Sequence, residues 1–233
     1  MRPERSFQNS FGLQQELLGG ALRWQVIGYY NALFDLVVGR EDRFQFFAGP
    51  PPIGPFDTED YANDGTGLIY GSEIEVRYTD PLRIGLLAMS FSHSERTDRN
   101  GDVRLFQYDQ PVVINALYTQ ILPKNWRLGG RVRFGSGNPY TPVSNRVYDM
   151  SSRDFVPVYG ERDSGRLDPF FSLDLRVDKE YTFRNWKLGT YLDIQNVTNY
   201  KNVELQNWSY DYSEETPVQG QPTFPILGLK GEW

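Results

Sequence analysis

Between Phe170 and Phe183 the chain alternates so strictly that one backbone conformation accounts for it. Phe171, Leu173, Leu175, Val177, Tyr181 and Phe183 fall on one side, and Ser172, Asp174, Arg176, Asp178, Glu180 and Thr182 on the other, with Lys179 the only break in the apolar row. Side chains repeat every 2 residues on a strand but about every 3.6 on a helix, which would scatter both sets around its axis. The segment is therefore predicted to be a strand with one apolar and one polar face. Trp186 to Gln195 repeats the pattern, with Trp186, Leu188, Thr190, Leu192 and Ile194 opposing Lys187, Tyr191, Asp193 and Gln195. Arg184-Asn185 between the two reads as a tight hairpin turn.

The same period gives strands at Ser6 to Leu18, Ala21 to Val38, Leu68 to Thr79, Leu82 to His93, Val112 to Ile121, Trp126 to Gly135 and Phe224 to Trp233. In the second of these, Leu22, Trp24, Val26, Tyr30, Ala32, Phe34, Leu36 and Val38 share one face. Leu82 to His93 is less regular, since Leu87, Met89 and Phe91 fall on what should be its polar face. About nine strands result from pattern alone.

The connections are sorted by length. Gly19-Gly20, Asp80-Pro81, Pro123-Lys124-Asn125 and Arg184-Asn185 are short, whereas Gly39 to Gly67, Ser94 to Gln110, Ser136 to Pro169 and Asn196 to Thr223 are long and rich in Gly, Pro, Asp and Asn. In a meander the short ones lie at one end and the long ones at the other. A soluble sandwich has no reason to sort its connections in this way. Outer-membrane barrels do, with short periplasmic turns and long extracellular loops, and strands of about 10 residues suffice to cross a bilayer when tilted.

Composition removes several function classes. The 233 residues hold no Cys and a single His, which excludes disulfide scaffolds, thiolate metal sites and multi-histidine metal sites. A net charge of -6 with no long Lys/Arg run argues against nucleic acid as a partner. No apolar stretch approaches the roughly 18 residues of a transmembrane helix, and the first ten residues show no apolar core of a signal peptide. The 15 Tyr, 15 Phe and 5 Trp suit a sheet with one apolar and one polar face.

Three motifs carry a resemblance. Gly129 to Val143 (GGRVRFGSGNPYTPV), Arg166 to Lys179 (RLDPFFSLDLRVDK) and Tyr191 to Asn199 (YLDIQNVTN) resemble the late barrel of TonB-dependent outer-membrane receptors, and Gly228 to Trp233 resembles that family's closing strand. The family ends on Phe; here the last residue is Trp233. The resemblance implies an all-β fold, an antiparallel transmembrane β-barrel segment of about nine strands within a larger barrel of about 22. It further implies that residues 1–233 form the C-terminal portion of that barrel, without the plug domain. The expected partners are outer-membrane lipid, an N-terminal barrel and plug portion, and, through that plug, a TonB-type energy transducer. The expected ligand is a scarce metal chelate or oligosaccharide, and the place of action is the outer membrane of a Gram-negative bacterium. No cofactor and no enzymatic activity are implied. If Ser6 to Leu18 were not a strand, about eight would remain, and a small non-transporting barrel acting as anchor or adhesin would be the alternative.

Candidate residues follow. Tyr140, Tyr148 and Tyr159 in one long loop, with Phe155 beside them, and Trp208, Tyr210 and Tyr212 in the next offer rigid amphipathic surface for a ligand, for packing on one another, or for anchoring at lipid headgroups. By parity Arg127, Arg131, Arg133, Asp174, Arg176 and Asp193 share the polar face, as do Glu73, Glu75, Arg77, Asp178 and Lys187. Neighbouring strands then place opposite charges side by side, and the resemblance implies that this face meets the plug. Leu227, Leu229 and Trp233 are the resemblance's candidates for a membrane-insertion signal. Trp24, Tyr78, Trp126, Phe183 and Trp186, with Trp233, form an aromatic girdle at the short-turn end. His93 reads as a solvated residue at a strand end, because Ser92 and Ser94 on the same strand cannot both reach it. Asp57, Glu59, Asp60 and Asp64 are hard ligands of the kind that bind Ca²⁺, at a spacing unlike an EF-hand, and solvated carboxylates are the plainer reading.

Overall fold

A computed structural model describes residues 2–39 and 61–233. In chain order its strands are β1 (Arg5–Leu17), β2 (Leu22–Gly39), β3 (Tyr61–Thr79), β4 (Arg83–Thr97), β5 (Val103–Leu105), β6 (Val112–Leu122), β7 (Trp126–Gly135), β8 (Pro139–Tyr140), β9 (Val143–Asp149), β10 (Asp154–Tyr159), β11 (Gly165–Arg166), β12 (Phe170–Thr182), β13 (Lys187–Gln195), β14 (Val203–Trp208), β15 (Glu215–Gln219) and β16 (Phe224–Glu232). Nine make one antiparallel meander, β1-β2-β3-β4-β6-β7-β12-β13-β16, with β5 added to the end of β4. These are the nine strands expected. No helix among the described residues is long and apolar enough to cross a membrane.

Register carries one parity across the sheet. Leu173 stands opposite Val132, and Val132 opposite Ala116; one residue along, Asp174 stands opposite Arg131. The apolar face therefore continues from strand to strand, and the polar face does the same behind it. The apolar face has no protein cover: Phe11 is 71% exposed, Leu227 75% and Leu229 73%, and the buried apolar side chains among the described residues, Leu167, Pro139 and Pro157, all lie in a connection and none in the sheet. A sheet this bare must be solvated by something other than water.

Three expectations change. First, Asp35 takes a left-handed backbone (φ 56), and the β2–β3 register shifts between Leu33 and Leu36. This bulge inverts the parity, so Leu36 leaves the apolar face that the row of even-numbered residues assigned to it, and Val37 is exposed in its place. Second, Leu87, Met89 and Phe91 pair with Val76, Ile74 and Ser72 of β3, which puts them on the apolar face, while Leu86 and Ala88 stand opposite Arg77 and Glu75 on the polar one. β4 and β6 are apolar on both sides, and alternation fails as a guide there. Third, β3 begins seven residues earlier than expected and β4 ends four residues later, at Thr97 rather than His93. Ladder hydrogen bonds continue past the two-faced region, where hydropathy no longer alternates.

The tight turns adopt the left-handed conformations that short hairpins demand: Lys124 and Asn125 have φ of 62 and 59. Asp80 closes its own turn by accepting hydrogen bonds from the Leu82 and Arg83 amides at 2.7 Å each. On the polar face two tyrosines lie over glycines directly across the ladder. Tyr29 pairs with Gly71 and Tyr191 with Gly228, and a Cβ at either glycine would sit 2.6 Å or less from the tyrosine.

The sheet stays open. β1 pairs with β2 over thirteen residues, so the first segment is a strand and a closed barrel of eight strands is not what this chain forms. β1 and β16 are the two edges and run in the same direction.

Candidate functional site

All four long connections leave the sheet at one end, and two of them fold back into hairpins of their own. β9 pairs with β10 within the connection 136–169, and β14 with β15 within 196–223. Each hairpin is anchored at its base by buried polar groups.

Asp109, 1% exposed, anchors the first. Its carboxylate accepts from the Ser94 amide at 2.7 Å and from Arg166 Nη2 at 2.7 Å, and Arg166 Nη1 donates to the carbonyls of Asp109 and Gly137 at 2.6 and 2.8 Å. Gly137 lies so close to the returning chain that a Cβ there would fall 1.8 Å from the Leu167 carbonyl oxygen. β8 and β11 pair beside this contact. The glycine-rich motif and the Arg-Leu-Asp-Pro motif are thus two sides of one junction, clamped by a charge-assisted bond to the connection between β4 and β6.

Asn196 and Asn202 anchor the second hairpin. The Asn202 amide accepts from the Phe171 N–H at 2.7 Å and donates to its carbonyl at 2.9 Å, standing in for one rung of ladder beside β12. Asn196 has a left-handed backbone (φ 48), donates to the carbonyls of Tyr200 and Gln221 and accepts from the Tyr200 amide.

The hairpins then meet. Arg146 donates to the carboxylate of Asp211 at 2.5 Å and to its carbonyl at 2.8 Å. Phe155 contacts Tyr148 edge-on at 5.2 Å between ring centres and Tyr210 at 6.2 Å, with the Arg146 guanidinium 5.5 Å from its own ring. Tyr140 donates to Glu215 at 3.0 Å; burial and then that carboxylate raise its pKa above the ordinary phenol value. Tyr210 is raised chiefly by the negative charge of Asp154, and Tyr159 chiefly by burial. The hydroxyls of Ser213 and Ser209 hold the Asp211 carboxyl well below the usual range, so it stays ionised for Arg146.

Of the six aromatic candidates, Tyr148 and Tyr210 lie in one cluster around Phe155. Tyr140 bridges to β15 and also covers Gly165, its ladder partner. Trp208 is half-buried beside Glu215 at the end of β14. Tyr212 occupies the turn with a left-handed backbone (φ 55). Tyr210 remains 73% exposed and Tyr148 50%. Packing among themselves uses the ring edges and leaves these two with open surface. Phe155, read with the aromatics of this loop, is the centre of the cluster; Arg146, which completes it, was not among the ligand candidates, and no regular alternation within 143–159 marks it.

On the polar face Asp174 is the hub. Arg131 reaches it with Nε at 2.9 Å and Nη2 at 2.7 Å, Arg133 at 3.4 Å, and its other oxygen accepts from Ser172 at 2.6 Å and from the Asn196 amide at 2.9 Å. Arg176 bonds Asp178 at 2.8 Å, approaches Asp193 at 3.7 Å and lies 3.9 Å over the Tyr191 ring. Arg127 stands opposite Asp178 in the ladder. Leu227 and Leu229 lie on the apolar face of the edge strand, opposite Leu192 and Thr190, and Trp233 follows β16 fully exposed.

His93 sits on the apolar face opposite Tyr70, rings 5.3 Å apart, with Nε2 3.1 Å from Glu95. It lies inside β4 and not at its end. Asp57, Glu59 and Asp60 lie outside the described residues; Asp64 pairs with Arg99 at 3.2 Å. Among the described residues no group of three acidic or histidine side chains is placed to hold a metal ion.

The comparisons with known proteins address the same architecture. No curated protein sequence matches the chain significantly. Among solved structures, the ferric-catecholate import receptor Fiu of Escherichia coli K12 superposes with a TM-score of 0.65 at 13% identity, over 99% of this chain and 28% of its own. The ferripyoverdine receptor of the Pseudomonas aeruginosa outer membrane gives 0.63 at 14% identity, over 99% and 27%. The copper transporter OprC gives 0.60 at 18% identity, over 99% and 31%. The chain thus spans less than a third of the length of these structures, and at such identities they share its fold. The family profile described as TonB dependent receptor-like, beta-barrel matches residues 1–197, and with that the chain belongs to the TonB-dependent receptor β-barrel family.

Proposed function

We propose that residues 1–233 form the C-terminal portion of the barrel of an outer-membrane receptor that imports a scarce ligand with energy from a TonB-type transducer. The observation that carries this reading is the sorting of the connections. One end of the sheet has tight turns, and the other has two hairpins built over buried anchors and leaning on each other. In this reading the apolar face meets lipid, the short turns are periplasmic, and the polar face with Arg127, Arg131, Arg133, Asp174, Arg176 and Asp193 lines a lumen occupied by a plug. Leu227 and Leu229 lie in the strand that an insertion machinery would engage, and Trp233 directly follows it.

Ligand capture falls to the loop cluster. Tyr148 and Tyr210 present ring surface held in place by Phe155 and Arg146, and rigid aromatic surface binds at low entropic cost. Ferric chelates and copper, named for the similar structures, are the ligand classes to test first, with oligosaccharides as the contrasting class. The test is uptake of labelled ferric catecholate, copper and oligosaccharide by cells carrying the full receptor, with and without the energy transducer. Transducer-dependent accumulation of one class, weakened about tenfold in affinity by Tyr210→Ala, is expected. Accumulation that does not depend on the transducer overturns the reading.

A further inference from the structure

Lys179, the one cation in the apolar row of β12, is held in a defined place. It stands opposite Trp126 in the β7–β12 ladder. Its ammonium lies 5.2 Å from the ring centre of Trp126 and 5.2 Å from that of Tyr181, and it donates to the Lys124 carbonyl in the β6–β7 turn. Aromatic faces attract an ammonium while their bodies remain apolar, so this lysine is kept at the border of the apolar face instead of extending past the turn.

Two more exposed cations lie in the turns at the same end of the sheet, Lys124 in the turn that Lys179 bonds and Arg184 in the next turn along, between β12 and β13. Among the described residues no carboxylate pairs with Lys124, Lys179 or Arg184. Nearby on the polar face, Lys187 is neutralised by Glu180 at 3.5 Å and Arg176 by Asp178 at 2.8 Å. The corner therefore combines three cations without a partner acid, two aromatic walls, and a contiguous apolar strip made by Val177, Leu175 and Leu128. That is the complement of an amphiphile with an anionic head.

We propose that this corner binds an anionic glycerophospholipid of the phosphatidylglycerol type. The phosphodiester accepts from Lys179 between Trp126 and Tyr181, with Lys124 and Arg184 around it, and the acyl chains run along Val177, Leu175 and Leu128. The site rests on the reading of the apolar face as lipid-facing. A free phosphate would use the cations alone and leave the apolar strip uncovered, so the lipid is the occupant that satisfies both halves.

The test reconstitutes the full receptor into vesicles and isolates the Trp126 fluorescence as the difference between the receptor and its Trp126→Phe variant. In one arm brominated phosphatidylglycerol is the minor lipid in unlabelled phosphatidylcholine; in the other the bromine is on an equal fraction of phosphatidylcholine in the same mixture. Stronger quenching from the phosphatidylglycerol arm is expected. Lys179→Met should lower that preference about fivefold, and Lys179→Arg should keep it. Inorganic phosphate at millimolar concentration should leave it unchanged. Equal quenching in both arms, an undiminished preference in Lys179→Met, or displacement by inorganic phosphate overturns the lipid site while leaving the membrane face intact. Absence of quenching in both arms overturns the membrane reading and the site with it.

Discussion

Leu175 and Asp174 are consecutive residues with opposite surroundings, and single substitutions on the two faces should separate them. Arg in place of Leu175 is expected to cost about 2–4 kcal/mol in a barrel-folding titration of the full receptor if that residue lies near the bilayer midplane. Asp174 is a poor comparator, because Arg there would set a third guanidinium between Arg131 and Arg133 and empty the hub. Gln14, exposed on the polar face of β1 opposite Gln25, is the better one, and Gln14→Arg should cost far less. Equal costs would show the parity to be wrong. Asp109→Ala removes the acceptor of Arg166 and of the Ser94 amide, with an expected loss of about 1.5–3 kcal/mol confined to the loop end. Proteolysis within 136–169 should quicken while the sheet stays protected. The polar-face pairs Asp174–Arg131 and Arg176–Asp193 were legible because period 2 puts them in register. Asp109 and Arg166, 57 residues apart in two unrelated connections, carry no local pattern that could announce their pairing.

Whole strands were easier to read than their ends. Each of the nine has two unlike surroundings along most of its length, and that contrast writes itself into the sequence as alternation. β9, β10, β14 and β15 stand outside the sheet and lack its two unlike faces, so nothing in their hydropathy distinguished them from loop. The Asp35 bulge was hidden for a related reason: Leu36, Val37 and Val38 are all apolar, and parity cannot be tracked through a run without contrast. Two outcomes test the connections. With cysteines introduced singly at Asn145 in β9 and Asn185 in the β12–β13 turn, an impermeant thiol reagent on intact cells should label the first and spare the second; the reverse would invert the topology. The β9–β10 turn should also respond to acid. The Ser151 hydroxyl and amide, with Ser152, hold Asp149 down from 3.8 to about 2. A depressed carboxyl stabilises the turn above its unfolded pKa, and that contribution is lost as the pH falls from 3.8 to about 2. The protection factor of the Ser151 amide, its exchange rate relative to an unstructured peptide at the same pH, should fall across this window in the native receptor and stay level in Asp149→Asn.

At the scale of the molecule, the nine strands present two parallel edges, and in hydrocarbon each unpaired backbone group on such an edge costs several kcal/mol. Residues 1–233 refolded alone in detergent are therefore expected to associate or precipitate. A stable monomer with heat-modifiable mobility would show that the sheet closes on itself. The paired tyrosines and glycines bear on how such a sheet comes together at all. Tyr191 accepts only a residue without a side chain across the ladder, and β16 provides one at Gly228. Sliding β16 by a two-residue step would keep the apolar face outward, so hydropathy alone would not resist it, yet it would drive Ile226 or Lys230 into the phenol ring. Tyr29 and Gly71 impose the same condition on β2 and β3. Each ring works as a key cut for one notch, and a strand arriving out of step finds the notch already shut.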